Sequence, residues 1–367
     1  MKATLSDVCN IIAGYAFKGK DFNGDGYPVI KITDIQPPYA STISCSHVNL
    51  SSYDTSKLTK YLVSRNDFVI AMTGATIGKI GRITSGQAYI NQRVAKFEIN
   101  DSTTKAFVYQ LLLSDSFTTH INSNIDSQSA QPNISAGSIG RFEFDLPTKD
   151  QQRHIVDILG TLDEKIENNR LIQQGLIAYG LKIFENRSRQ SKTDHSFGEL
   201  FSFINGFSFK SSDYKETGKY KVITIKNITD NGFNSDNADK IDYSDSFAKS
   251  RLSIGDILLT MTGEVGRVGI VDIDNALLNQ RVLKVVGKSS FFTYFALLSN
   301  SNNIKTLAKG SVQQNLGLKE LSKYLIACDN VESYKQYDWI ITKLLSISKE
   351  NKSLNALKQL YLKKFFG

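Results

Sequence analysis

Apolar positions along the chain change period three times. Short β-branched stretches at residues 29–32, 68–72 and 94–99 sit between glycine and aspartate, which is the pattern of strands. FVYQLLLSDS, from Phe107, then spaces its apolar residues as a helix does. After Pro147, Ile155, Leu159, Leu162, Ile166, Leu176 and Ile183 form one stripe in steps mostly of three or four, predicting a long helix over about 148–187. The strand pattern returns, and a second stripe follows from about residue 331 to the end: Ile341, Leu344, Ile347, Leu354, Leu357, Tyr361 and Phe365. Roughly forty residues at ~1.5 Å each make a rod of ~60 Å. Gly160, Gly175 and Gly180 each cost ~1 kcal/mol against alanine and argue against an unbroken one. Two such stripes are expected to pair. Asn169 and Asn351 fall at equivalent mid-helix positions, either as a polar pair that fixes register or as two exposed side chains.

The alternation of textures is an internal repeat. GYAFKGKDF from Gly14 pairs with GFSFKSSDY from Gly206, and PVIKITDI from Pro28 with KVITIKNI from Lys221. AMTGATIGKIG from Ala71 pairs with TMTGEVGRVG from Thr260, and AYINQRVAKF from Ala88 shares Asn-Gln-Arg-Val with residues 279–282. FVYQLLLSDS pairs with FTYFALLSNS from Phe292, and Gln131 and Asn133 with Gln313 and Asn315. The expected organisation is a first globular unit at 1–147, a helix at 148–190, a second unit at 191–329 and a second helix at 330–367. Each unit is read as α/β (α+β) with a mixed sheet, and the helices as antiparallel, each starting at its own unit and running toward the other.

Charge narrows the partners: 44 Lys plus Arg against 36 Asp plus Glu give a net charge of +8, which favours a polyanion. Cys9, Cys45 and Cys328 stand alone, so neither a disulfide framework nor a Cys-x-x-Cys metal site is available, and a reducing cytoplasm fits. No apolar run approaches the ~20 residues that span a bilayer, and the N-terminus does not read as a signal peptide.

Three imitations of catalytic sites fail on their own chemistry. Gln36-Pro37-Pro38-Tyr39 approaches the motif with which amino-methyltransferases hold a target amine, but glutamine is one methylene longer than the required Asn or Asp, and no glycine-rich donor loop accompanies it; a rigid proline turn is the plainer reading. Gly74 to Lys79 has three residues between its glycines where a phosphate loop needs four, and Ile80 stands where Ser or Thr would hold magnesium. His47, His120, His154 and His195 have no counterparts in the other copy and no metal-ligand spacing. Nothing marks the chain as a catalyst.

What both copies do share is polar, partly cationic and supported by glycine: Lys18 and Lys210, Thr73-Gly74 and Thr262-Gly263, Lys79 and Arg267, Asn91-Gln92-Arg93 and Asn279-Gln280-Arg281, Gln131 and Gln313, Asn133 and Asn315. Such groups neutralise phosphates and hydrogen-bond to base edges, so all are candidates for contact with double-stranded DNA. Composition leaves a second reading open, in which the triplets cap strands or pair with buried carboxylates.

Met72-Thr73-Gly74, Asn91-Gln92-Arg93 and Gln131-Pro132-Asn133, with Leu146-Pro147-Thr148-Lys149-Asp150-Gln151-Gln152 leading to Leu162-Asp163-Glu164-Lys165-Ile166, resemble the specificity subunits of type I restriction-modification systems over nearly the whole chain. The resemblance implies a non-catalytic DNA reader. Each globular unit would be a target recognition domain for one half of a split sequence, and the helices an antiparallel coiled coil that spaces the halves. It implies two docked modification subunits carrying S-adenosylmethionine and adenine methylation, joined by restriction subunits that use ATP and magnesium; no cofactor or metal is expected in this chain. Shared residues would then be anchors or framework, and readout would come from unmatched segments such as 36–48 against 230–242 and 124–130 against 305–312. The second helix lacks both the Leu-Pro junction and the Leu-Asp-Glu-Lys-Ile run, so docking there is less secured. The competing readings are a stand-alone bipartite DNA-binding regulator and an enzyme with a degenerate methyltransferase site at Gln36.

Overall fold

A computed structural model of the chain describes residues 1–22, 24–43, 45–126, 131–310 and 314–367. The four segments expected from the sequence regroup into two compact units: Met1–Lys165 with Asn355–Gly367, and Ile166–Leu354. Each unit thus contains a stretch of both long helices.

In the first unit a mixed six-stranded sheet has the order Asn10–Ala13, Val94–Glu98, Phe68–Ala71, Ile80–Ile83, Tyr39–Ala40, Ile35–Gln36. A four-stranded sheet has the order Ser46–Val48, Tyr27–Ile30, Gln87–Ile90, Leu62–Ser64, with its two central strands parallel. The run Phe68–Ala71 is apolar throughout because both of its faces are covered. Phe68 and Ile70 face one core with Phe107, Val108 and Leu111 of the helix Ser102–Leu111, while Val69 and Ala71 face the other with Ile30, Val63 and Ile90. The second unit repeats this: Ile257 and Leu259 pack with Phe292 and Phe295 of the helix Ser290–Ser299, and Leu258 packs with Ile223 and Leu278.

The first long helix is unbroken from Lys149 to Gln190, 42 residues. Its start explains the Leu-Pro-Thr-Lys-Asp-Gln-Gln motif. The Gln151 side chain accepts from the Thr148 amide at 3.0 Å, and the Thr148 hydroxyl accepts from the Gln151 amide at 3.3 Å, a reciprocal cap. Buried Gln152 donates to the Pro147 carbonyl at 3.0 Å and accepts from the Thr104 hydroxyl at 3.1 Å, tying the helix start to the Ser102–Leu111 helix.

The second helix corrects the expected start at residue 331. Residues Glu332–Tyr337 form a 3₁₀ turn, and the α-helix runs Trp339–Phe366, 28 residues. Asp338 sets the break: its carboxylate accepts from the Ser289 hydroxyl at 2.7 Å and the Phe291 amide at 2.8 Å. Tyr334 is thereby laid against Phe292, ring centroids 5.0 Å apart.

Within each unit the helix segments run antiparallel. In the first, His154 meets Phe365, and the Lys358 ammonium reaches the Asp163 carboxylate at 2.5 Å. In the second, Asn169 meets Glu350 and Asn351, and Phe184 lies 6.2 Å from Tyr334. Ile155, Leu159, Ile341, Leu344 and Ile347 are buried, while Leu162, Ile166, Leu176, Ile183, Leu354 and Phe365 are half-buried. Leu357 corrects the expected stripe: it is 41% exposed, and Lys358 and Leu362 occupy the buried positions instead. Asn169 is buried at 1% exposure, and its amide donates to Asn351 Oδ1 and Glu350 Oε2, both at 2.9 Å, so it is not the exposed alternative.

The three glycines do not break the first helix, and two of them lie in opposite surroundings. At Gly180 an added Cβ would lie 2.1 Å from Phe295 Cζ, whereas at Gly175 it would meet nothing within 4 Å. Gly180→Ala is therefore expected to lower stability by about 1–3 kcal/mol through overpacking, and Gly175→Ala to raise it by about 0.5–1 kcal/mol through helix propensity. Urea denaturation of the two variants checks the opposite signs.

Candidate nucleic-acid interface

The repeated motifs converge through their backbones. The Met72 amide donates to the Arg93 carbonyl at 2.9 Å, the Met72 carbonyl accepts from Ile134 at 3.0 Å, and the Gly74 amide donates to the Pro132 carbonyl at 3.0 Å. The Gln92 amide donates to the Tyr15 carbonyl at 3.0 Å, adding the Gly14 motif to the same knot. The second unit makes the same bonds: Met261 to Arg281 at 3.1 Å, Leu316 to Met261 at 2.8 Å, Gly263 to Gln314 at 3.0 Å and Gln280 to Phe207 at 3.0 Å. Asn91-Gln92-Arg93 and its counterpart form the turn by which the chain leaves one sheet, at Ile90 or Leu278, and enters the other at Val94 or Val282.

This geometry accounts for two repeated glycines. A Cβ on Gly14 would lie 2.3 Å from the Asn91 carbonyl oxygen, and on Gly206 2.2 Å from that of Asn279, so the Gly14 and Gly206 motifs can lie on the triplet only with glycine. Gly74 and Gly263 adopt φ of +72° and +70°, which suits glycine at the turn after the Met-Thr pair. That turn closes a hairpin of Phe68–Ala71 with Ile80–Ile83 instead of leading into a helix as a phosphate loop does. Gln36-Pro37-Pro38-Tyr39 likewise closes the hairpin of Ile35–Gln36 with Tyr39–Ala40.

With the backbone of the triplets committed, their longer side chains are left outside. Gln92, Arg93, Gln280 and Arg281 are exposed, and none makes a side-chain hydrogen bond or ion pair among the described residues. Lys18, Lys79 and Lys210 are also exposed, and their ammonium groups have no partner among the described residues. Asn91 and Asn279 are half-buried, and Asn279 caps its own turn by accepting from the Arg281 amide at 3.1 Å. Gln131 is exposed, Asn133 is half-buried, and the Asn133 and Asn315 backbones bridge Thr73 and Thr262. Gln313, with 127–130 and 311–312 of the unmatched segments, lies outside the described residues.

Two expected anchors are placed otherwise. Thr73 is buried, and its hydroxyl has no partner among the described residues, so it is not positioned to donate to a phosphate; Thr262 and both glycines are half-buried. Arg267, aligned with free Lys79, is neutralised: it donates to both oxygens of Asp230 at 2.9 and 3.0 Å and lies 3.4 Å from Glu264. The guanidinium holds the Asp230 carboxyl below its usual range, and Asp230 raises Arg267 in return. The signal was present, because Glu264 has no acidic counterpart in Gly74-Ala-Thr-Ile-Gly78. Sequence reasoning also missed how Lys18 is carried: Tyr53 accepts from the Lys18 amide at 3.0 Å and donates to Asp21 at 2.5 Å, within an aromatic cluster that includes Tyr15, Phe17 and Tyr89. The repeated aromatics of the Gly14 and Gly206 motifs are its trace in the sequence.

Lys96 and Lys284, each two residues after the repeated Asn-Gln-Arg-Val, are structural, donating to the Leu62 carbonyl at 3.1 Å and to Asp256 at 2.7 Å. Burial pushes the Cys9 thiol up to about 12, so no thiolate nucleophile stands there at neutral pH. Among the described residues no cluster of His, Cys, Asp and Glu could hold a metal ion, and no helix is long and apolar enough to cross a membrane.

A model of the type I restriction modification DNA specificity domain matches the chain over residues 1–176 and again over 192–359. The chain belongs to that family. Specificity-domain proteins similar to it include the EcoBI specificity subunit of Escherichia coli, 25% identical over 329 residues, 79% of this chain and 65% of that protein. The HindI specificity subunit of Haemophilus influenzae is 28% identical over 182 residues, 47% of this chain and 38% of that protein. The matches therefore span less than two thirds of either relative. The crystal structure of a type I restriction-modification S subunit from M. genitalium covers 100% of this chain with 96% of its own, at a TM-score of 0.58 and 17% identity, and shows the shared specificity-domain fold.

Because the Thr73 hydroxyl is buried and has no partner among the described residues, Thr73→Val should leave stability unchanged or raise it by up to about 1 kcal/mol. DNA affinity should be unaltered. Urea denaturation and an anisotropy titration check both; a loss of stability would mean that the hydroxyl has a hydrogen-bonding role.

Proposed function

We propose that this chain is a non-catalytic specificity subunit that reads a split double-stranded DNA target, one half with each unit. The observation that carries the reading is the repetition of one exposed device. In both units the same backbone knot leaves a glutamine and an arginine, Gln92 and Arg93 or Gln280 and Arg281, free at the surface of a basic protein. Identical groups on both copies suit the uniform phosphate backbone, and base choice falls to the unmatched segments. Arg267, held between two carboxylates, belongs to framework in this reading, and Asp230 presents an acceptor within an unmatched segment.

In this reading the chain brings no cofactor of its own. Modification subunits dock on the long helices and supply S-adenosylmethionine and adenine methylation, restriction subunits supply ATP- and magnesium-dependent cleavage, and the helices set the spacer between the half-sites. A stand-alone bipartite regulator would use the same exposed cations, but it would bind its site without a partner.

Single-molecule sequencing of adenine methylation in cells expressing the chain with its modification subunit tests the reading against the modification subunit alone. A split motif that requires the chain is the expected result; no motif with an active, bound partner would favour the regulator. Removing whole turns from both helices should shorten the spacer between the half-sites in the same assay, and an unchanged spacer would count against the ruler.

Arg93→Ala and Arg281→Ala should each weaken binding across sequences and reduce the slope of log affinity against log salt by about 0.9, one phosphate contact. Arg267→Ala should leave the slope nearly unchanged. Anisotropy titrations of the assembled complex at several salt concentrations separate these outcomes.

A further inference from the structure

The two units use one apolar plan at the helix seam, with one difference. In the first unit Phe107 meets Phe366, ring centroids 5.7 Å apart, and in the second Phe292 meets Phe184 at 5.8 Å. Phe107 aligns with Phe292, and Phe366 stands to the second long helix as Phe184 stands to the first, in the register that also matches Asn351 with Asn169. In that register Gln110, Asp163 and Lys358 of the first unit correspond to Phe295, Leu345 and Leu176 of the second.

The first set is a buried polar network. Asp163 accepts from Lys358 at 2.5 Å through one oxygen and from the Gln110 amide at 2.7 Å through the other, and the Lys358 and Asp163 side chains are 9% and 15% exposed. The second set belongs to an apolar cluster, with Phe295 buried and Leu176 and Leu345 packed against it. The scaffold therefore does not require charge here, since its other copy is built without it.

We propose that this network selects which helix segment the first unit accepts: it takes the C-terminal segment and refuses the matching segment of a second copy's first helix. That competing segment would bring Phe184 in place of Phe366 and asparagine in place of asparagine, so neither contact distinguishes it. It would also bring Gly180 in place of buried Leu362, leaving a cavity, and Leu176 in place of Lys358, burying the Asp163 carboxylate without its cation. Pairing the C-terminal helices of two copies would set Lys358 against Leu345, leaving the ammonium without its anion. A buried charge stripped of its partner is strongly unfavourable, whereas an apolar replacement of both partners is tolerated. The asparagine pair fixes register, and the ion pair fixes partner.

The inference is independent of what the units read and is tested without DNA. Two full-length copies with different tags are co-expressed, and cross-tag co-purification and mass by light scattering are measured. The wild type and the charge-reversed Asp163→Lys/Lys358→Asp, which keeps opposite charges on opposite helices, should stay at background. Gln110→Phe/Asp163→Leu/Lys358→Leu/Leu362→Gly copies the apolar set into the first unit, with the glycine that leaves room for the phenylalanine, and Leu176→Lys/Leu345→Asp copies the ion pair into the second; each removes the charge distinction. A rise of about tenfold or more in cross-tag pairing in either of these variants, with the charge-reversed protein at background, is the expected result. The proposal is overturned if both remain at wild-type level, or if the charge-reversed protein pairs as much as they do, since that would reflect destabilisation alone.

Discussion

Phe107 is buried against Phe366, which arrives from the far end of the chain, and Phe292 against Phe184, which arrives from the middle. The rest of the structure depends on these two closures. Each globular unit presents the outer side of one helix, Ser102–Leu111 or Ser290–Ser299, and covers it with one segment of each long helix. The first unit is consequently incomplete in sequence until residues 355–367 have been made and paired, a closure across most of the chain whose entropic cost must be met by apolar burial. Leu159 and Leu362, almost fully enclosed in that unit, are part of what meets it.

The duplication follows from a similar economy of constraints. The strand before the Met-Thr-Gly turn, the Asn-Gln-Arg turn and the segment at Pro132 or Gln314 are held by backbone hydrogen bonds, so their side-chain identities are restricted less by partners than by where the backbone must pass. Glycine at 14 and 206 is needed for a close approach, and glycine at 74 and 263 suits a positive φ. The exposed Gln and Arg of each triplet are different. No buried carboxylate or helix end engages their side chains among the described residues, so packing does not explain why both copies carry them. The proposed contact with DNA gives them a use outside the chain.

Much of this was legible in sequence because periodicity reports burial directly. The strands buried on both faces, the 42-residue helix and the order of repeated blocks all come from one-dimensional patterns. What was hidden depends on a single partner far away in sequence. The second helix starts late because Asp338 is spent on Ser289 and Phe291. Leu357 is exposed because Lys358, called inward by Asp163, takes the buried position one residue later. Gly180 is tolerated in a helix because Phe295 fills the space over it, and Arg267 departs from Lys79 because Asp230 and Glu264 approach it. A helical stripe sets the face to within about one residue, and a tertiary polar contact decides which residue on that face turns in.

The Asp163–Lys358 pair also bears on how a duplicated chain keeps its halves distinct. Two copies of one scaffold, each covering its core with a long-helix segment, are at risk of covering it with the wrong one, since Phe184 matches Phe366 and Asn169 matches Asn351, and the apolar difference between them is Gly180 where the first unit has Leu362. Apolar burial is non-directional and weighs on that choice only through volume, as at Leu362 against Gly180. A charge can, because its cost depends on whether one particular partner is present, and confining it to one of the two seams is enough: the pair in the first unit makes the two long helices unequal, and the apolar seam of the second unit then follows from the only segments left to it.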